Sequence, residues 1–222
     1  MTTFQKYHKI QSIQKRHTDG PLKGKFNGEW TCPEHEYLID NDWIWREKID
    51  GTNIRIHVTC DASGWPLVEF GGRTDNAQIP APLVTKLNEL FNTDEAKDRL
   101  LEQFEQSTLQ MGVVLFGEGY GAGIQKGGAY GPVSFILFDV LIGGTWLMEA
   151  DVTQIACGLG IDRVPLVGRG TLTEAIYRVS SHTLESAWPD VTPEGIVAVP
   201  AVPLFDRRGN RVIVKIKGVD YQ

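Results

Sequence analysis

The sequence predicts an α+β fold of largely antiparallel sheets flanked by helices. Two patterns predict it. Short apolar alternations follow one another in meander order, and helical periodicities interrupt them irregularly rather than after every strand. No strict strand–helix–strand alternation is present, which disfavours a doubly wound parallel sheet.

In chain order, residues 1–42 read as loop-rich, with Asp19-Gly20-Pro21 as a turn. Residues 43–48 and 53–60 read as strands separated by a tight Asp50-Gly51 turn, and 65–70 as a third strand closing at Gly71-Gly72. Helices are expected over 82–91, where Leu83, Leu87, Leu90 and Phe91 recur at helical spacing, and over 94–109, which opens on a carboxylate. Strands follow at 113–118, 133–141 and 145–147, then a helix over 150–159. Thr171-x-x-Glu174 is a capping-box pattern that starts another helix. Residues 194–199 and 211–217 close the chain as strands.

The 222 residues suffice to bury a core as one domain, or as one domain with a small lobe. With 41% hydrophobic and 23% charged residues the composition is that of an ordinary globular protein. No segment approaches the ~18 apolar residues that cross a bilayer. Met1-Thr2-Thr3-Phe4-Gln5-Lys6 is too polar to open a secretory signal. Cys32, Cys60 and Cys157 lack metal-ligand spacing and suit reduced thiols in a cytoplasm. The net charge of −6 is unusual for a nucleic-acid protein, although a local cleft can be positive on an acidic molecule. Lys6, His8, Lys9, Lys15, Arg16, His17, Lys23 and Lys25 crowd the first 25 residues against Asp19 alone. From charge alone they read as a solvated basic arm.

The segment Glu47-Lys48-Ile49-Asp50-Gly51-Thr52-Asn53 carries the sharpest chemistry. A lysine at the end of a strand, followed by a glycine turn, projects from a rigid edge, and neighbouring cations can activate it as a nucleophile. A surface hairpin with an Asp-Gly turn has the same pattern. Along Arg211-Val212-Ile213-Val214-Lys215-Ile216-Lys217, strand alternation sends Lys215 and Lys217 to one face and Val212, Val214 and Ile216 to the other. That suits a phosphate clamp, or equally an amphipathic edge strand. Asp50, Glu118 and Glu194 are carboxylates near strand ends, the kind of hard oxygen donors that hold a hydrated Mg²⁺. The Gly71-Gly72 pair presents Arg73, and Phe138 is a core residue or one that stacks on a base.

Taken in order, these pieces resemble the motifs of the covalent nucleotidyltransferases: DNA ligases, RNA ligases and capping enzymes. Lys48-x-Asp50-Gly51-x-Asn53 is similar to the nucleotidyl-lysine motif and Phe116-Gly117-Glu118 to the third motif. Residues 135–139 resemble the segment that follows it, Glu194-Gly195-Ile196-Val197 the fourth motif, and Val214-Lys215-Ile216-Lys217 the fifth. Asn53 stands where DNA ligases and capping enzymes carry Arg. Together with Glu47, Tyr7-His8-Lys9-Ile10-Gln11-Ser12-Ile13 and Gly72-Arg73-Thr74-Asp75-Asn76, it resembles the RNA ligase 2-like phage and bacterial enzymes.

The resemblance implies a nucleotidyltransferase (ATP-grasp-like) domain spanning 1–222, with 1–42 as a basic segment packed on it. It implies no C-terminal OB-fold, since five residues follow Lys217. It implies an ATP-dependent RNA ligase of RNA repair: a cytoplasmic monomer acting on 5′-phosphate and 3′-OH ends, above all in nicked duplex, by way of a lysyl-AMP. Lys48 would be the nucleophile, and Lys215 and Lys217 would hold the α-phosphate. The nucleotide contacts would be Glu47 (adenine amine), Asn53, Arg73 (a phosphate), Glu118 (ribose), Phe138 (adenine stacking) and Glu194. Asp50 and Glu194 would serve Mg²⁺ or Mn²⁺, and RNA capture would fall to the domain's own surface, including basic residues 6–25. A DNA nick ligase, a GTP-using guanylyltransferase and a non-catalytic RNA-end-binding module remain as alternatives.

Overall fold

The computed structural model describes residues 5–125 and 127–221. Residues 1–4 of the polar N-terminal hexapeptide lie outside them. In chain order the first elements are β1 (Gln11–Ser12), β2 (Gln14–Arg16), β3 (Phe26–Trp30), α1 (Pro33–Tyr37), β4 (Trp43–Glu47), β5 (Thr52–Cys60) and β6 (Pro66–Gly72). Next come α2 (Ala81–Phe91), α3 (Asp94–Gln103), α4 (Gln106–Met111), β7 (Val113–Tyr120), β8 (Ser134–Ile142) and β9 (Thr145–Trp146). The rest are α5 (Glu149–Leu159), β10 (Asp162–Arg163), β11 (Leu166–Gly170), α6 (Leu172–Ser180), β12 (Gly195–Pro200) and β13 (Val214–Lys217). The fold is α+β, and its sheets are antiparallel except where β1 joins β13 and β10 joins β8. No helix among the described residues is long and apolar enough to cross a membrane.

The chain divides into two compact units. The first holds the residues up to Tyr7 and Asp50–Val164. Its sheet runs β10-β8-β7-β5-β6, with β9 on β8. Ile54, Ile56 and Val58 of β5 and Val113 and Leu115 of β7 alternate onto one face. There they meet Leu83, Leu87 and Phe91 of α2, Leu100 of α3 and Val152, Ile155 and Leu159 of α5. The expected helix over 94–109 is two helices, α3 and α4. Phe104 between them is extended (φ −127°, ψ 127°) and 4% exposed. Burying that ring outweighs continuing the helix, although no Pro or Gly marks the break.

The second unit comprises His8–Ile49 and Pro165–Gln222. Its sheet runs β1-β13-β12-β4-β11, and β2 and β3 form a separate ribbon. Trp43 and Trp45 of β4, Ile196 and Ala198 of β12, and Val214 and Ile216 of β13 bury one face against Leu172, Ala175 and Val179 of α6. The capping box at Thr171 and Glu174 is formed, and it starts α6.

The Asp50-Gly51 turn does not close a hairpin. β4 pairs with β11 and β12, whereas β5 pairs with β6 and β7, so the chain leaves one sheet at Glu47 and enters another at Thr52. Local turn chemistry suggested a hairpin, but the partners of each strand lie far along the chain.

Gly117 gives a direct test of the β7–β8 packing. A Cβ there would lie 2.2 Å from the Phe135 ring and 2.4 Å from the Ile136 carbonyl oxygen. Gly117→Ala is therefore expected to lower unfolding stability by about 1–3 kcal/mol, because backbone cannot move aside as a side-chain tip can. Urea denaturation measures it, and an unchanged midpoint would contradict this packing.

Candidate active site

In the second unit β12 lies between β4 and β13. Gly195 sits opposite Lys217 on one side, and on the other its carbonyl accepts a 2.9 Å hydrogen bond from the Lys48 amide. Glu194, the residue just before, is therefore flanked by the ends of both neighbouring strands. Its Oε2 accepts from Lys48 Nζ at 2.5 Å, and its Oε1 pairs with Lys217 Nζ. The three side chains are only 17–27% exposed. Burial works to raise the Glu194 pKa, but Lys48 and Lys217 outweigh it and hold the carboxyl below the usual carboxylate range. Lys215 lies on the same half-buried face as Lys217, while Val214 and Ile216 are fully buried on the other.

Gly195 permits this arrangement. A Cβ at that position would lie 2.0 Å from the Ile216 carbonyl oxygen, and φ is +152°. The close approach of β12 to β13 that brings Glu194 to Lys217 thus needs a glycine after the glutamate.

Glu47 is 2% exposed. Its Oε1 accepts from the Ser186 hydroxyl at 2.6 Å and its Oε2 from the Ala187 amide at 2.9 Å. The Trp188 amide donates to the same Ser186 oxygen at 3.1 Å. Glu47 thus fastens residues 186–188 to the strand that delivers Lys48, and each of its oxygens keeps a second lone pair for the expected bond to an adenine amine. Nothing in the sequence around Ser186 signals this, because the segment has neither periodicity nor a turn motif.

The first unit holds the other expected site residues. Asn53 on β5 and Glu118 on β7 are directly cross-strand, although 64 residues of chain separate them. The Asn53 side-chain oxygen is buried with no hydrogen-bond partner. Between Asp50 and this pair, Gly51 presses on β7, where a Cβ would lie 2.3 Å from the Gly119 carbonyl oxygen. Asp50 is half-buried, and its amide faces the Tyr130 hydroxyl at 3.4 Å.

Arg73 is exposed on the turn after β6. The fully buried Arg55 secures that turn, donating to the Gly72 carbonyl at 2.7 Å and to Asp75 at 3.1 Å. Lys6 pairs with the other Asp75 oxygen at 2.7 Å. Lys6, then Arg55, hold the Asp75 carboxyl below its usual range. Sequence reasoning missed Arg55, although a charged residue between Ile54 and Ile56 was the available signal.

Phe138 sits where the β7–β8 register jumps from Phe116↔Asp139 to Gly117↔Leu137. It is the extra residue of a bulge, a feature that re-aims a side chain. Its ring meets Tyr7 edge-on at 5.0 Å, and the Tyr7 hydroxyl donates to Asp139, which is fully buried. Among the described residues no group of three or more His, Cys, Asp or Glu is placed to hold a metal ion by itself.

The family model for RNA ligase matches residues 41–217, which contain every expected site residue from Glu47 to Lys217. Solved structures of Naegleria gruberi RNA ligase share the fold. A mutant with ATP and Mn gives a TM-score of 0.67 at 15% identity, covering 100% of this chain and 58% of its own. The same enzyme with PPi gives 0.67 at 16%, with the same coverages of 100% and 58%. A further mutant with ATP and Mn gives 0.60 at 15%, covering 94% of this chain and 62% of its own. The chain therefore spans about three-fifths of the length of these proteins.

Glu194 predicts a pH signature. Its folded-state pKa is depressed, so its contribution to stability is fully present above the ordinary carboxyl value of 4.5 and is lost as pH falls through the folded value. Glu194→Gln should be less stable than the parent at neutral pH, since two lysines then face each other without a counter-charge. The gap should close as the pH falls below the ordinary carboxyl value and on through the depressed folded one. Urea unfolding of both proteins from neutral to acid pH checks it, and a gap that persists unchanged into acid would contradict the ion triad.

Proposed function

Because the chain belongs to the RNA ligase family, we propose that it is an ATP-dependent RNA ligase that joins a 5′-phosphate to a 3′-OH through a Lys48–AMP intermediate. The observation that carries this reading is the pairing of Lys48 and Lys217 on the two oxygens of Glu194. It gathers the first, fourth and fifth motif segments at the ends of three adjacent strands.

In the first step Lys48 Nζ attacks the α-phosphorus of ATP. An N–P bond forms, the P–O bond to pyrophosphate breaks, and the surplus proton on the nitrogen passes to solvent. A lysine attacks only as the free amine. Lys48 is tied to Glu194 in the structure, so the pair must part first. Lys217 and Lys215 turning to the α-phosphate would part it, leaving Glu194 as a residue that would hold a divalent ion. AMP then passes from Lys48 to the 5′-phosphate, and finally the 3′-OH displaces AMP. Each step is an in-line displacement at phosphorus, in which the protein positions groups and offsets charge.

The donors suit Mg²⁺ or Mn²⁺. Glu194 of the second unit and Asp50 of the first are each hard oxygen donors of the kind such an ion takes while keeping several waters. When bound, the ion would supply neutralisation of charge on the phosphate oxygens. By resemblance Glu118 is assigned to the ribose, Phe138 to the adenine and Arg73 to a phosphate, with Asn53 beside Glu118. Nicked duplex RNA is the favoured substrate, because a duplex holds both ends in line.

Incubation with labelled ATP and Mg²⁺, then peptide mapping, should place AMP on Lys48, and Lys48→Ala should carry none. Lys217→Ala should slow adduct formation by about 10²-fold or more. Labelling from GTP rather than ATP, or an adduct only on another residue, would refute the assignment. With the adduct in hand, pre-adenylylated nicks in duplex RNA should seal faster than free single strands. Equal initial rates would remove the case for duplex preference.

A further inference from the structure

The loop between α6 and β12 carries none of the motif residues before Glu194, yet it grips the residue next to Lys48. By strand alternation Trp43, Trp45 and Glu47 share one face of β4. There α6 covers the two tryptophans, and Leu184 of the loop packs on the same core. The loop then reaches Glu47, where the Ser186 hydroxyl donates to one carboxylate oxygen at 2.6 Å and the Ala187 amide to the other at 2.9 Å. The Trp188 amide donates to the Ser186 oxygen at 3.1 Å, which commits the Ser186 proton to Glu47.

Both donors on Glu47 are neutral, so they orient the carboxylate without cancelling its charge. The last torsion of a glutamate side chain is broad and loosely defined, and one donor on each oxygen fixes it. Each oxygen keeps a second lone pair. Glu47 is only 2% exposed, so an incoming N–H meets a narrow edge of it. A carboxylate free to turn about that torsion would present the edge only part of the time. Of the two donors, only that of Ser186 belongs to a side chain, so only it depends on which residue stands there.

We propose that Ser186 is a positioning residue which, by orienting Glu47, sets the preference for a purine that carries a 6-amino group. This rests on the RNA ligase reading, in which Glu47 accepts from the adenine amine. A 6-amino group offers the carboxylate an N–H. A 6-oxo group offers it a second acceptor, and a purine with hydrogen at C6 offers neither. Ser186 touches no substrate and acts through Glu47 alone. Its removal therefore affects only those nucleotides whose base bonds Glu47, whereas a loss of structure would affect every nucleotide alike.

The test titrates the full chain calorimetrically with AMP and with purine riboside 5′-monophosphate, which lacks the 6-amino group. Pyrophosphate treatment first removes any AMP already carried. We expect the parent to bind AMP about tenfold more tightly than the purine riboside nucleotide, as one hydrogen bond to a charged group provides. Ser186→Ala should bring the two within about twofold by weakening AMP alone. Ser186→Thr, which keeps the hydroxyl, should restore the gap. The affinity for purine riboside monophosphate should be the same in all three proteins and so controls for folding. A parent that binds both alike or binds neither would overturn the proposal. So would a Ser186→Ala protein that keeps the full gap or loses both nucleotides equally, or a gap that Ser186→Thr fails to restore. Labelled ATP decides the ligase reading separately. A parent that takes no AMP on Lys48 would sink that reading, and the binding comparison would still decide the role of Ser186.

Discussion

One carboxylate has to answer two ammonium groups. Lys48 and Lys217 end strands on either side of β12, and without Glu194 their like charges would meet in a half-buried setting. The sheet order makes this possible: with β12 between β4 and β13, one side chain reaches both lysines. Such buried ion pairs are weak sources of stability, because desolvation offsets most of the attraction. On the proposed ligase reading, the arrangement would hold two cations in place for a phosphate and the carboxylate for a divalent ion.

Glycines set the distances elsewhere. Gly195 lets β12 approach β13, and Gly51 lets the chain after Lys48 and Asp50 press on the β7 backbone. In the motif Lys-x-Asp-Gly the glycine thus does more than turn the chain. It closes the gap to the strand that carries Glu118, in register with Asn53. A buried Arg55 plays a similar part for the turn bearing Arg73, satisfying the Gly72 carbonyl.

The strands were legible because their apolar residues alternate and their partners bury one face only, and the order of the chemical residues carried the family. What was not legible depends on distant contacts. The Asp50-Gly51 turn looks like a hairpin locally, yet pairing with β7 and β12 decides where each strand goes. The break at Phe104 has no local marker, since burial of one ring drives it. β1 and β2 were missed because two or three residues carry no period, and β3 because Asn27-Gly28 in its middle reads as a turn. Glu47 offered an acid beside a lysine, and only the structure reveals that a loop some 140 residues later takes both of its oxygens.

The overall charge of −6 looked unfavourable for a protein that handles phosphates. Divided by unit, it no longer does. The first unit carries 8 Lys and Arg against 15 Asp and Glu, a net of −7, and the second carries 14 against 13, a net of +1. Acidity therefore belongs to the unit whose helices present Asp94, Glu95, Glu102 and Glu105 to solvent. The other unit bears Lys48, Lys215 and Lys217. Exposed charges further apart than about 8–10 Å are largely screened at physiological salt, so the field a phosphate meets is the local one. A sequence-wide sum averages over distances at which charges no longer act on one another, and so says little about what a strand's backbone meets at this surface.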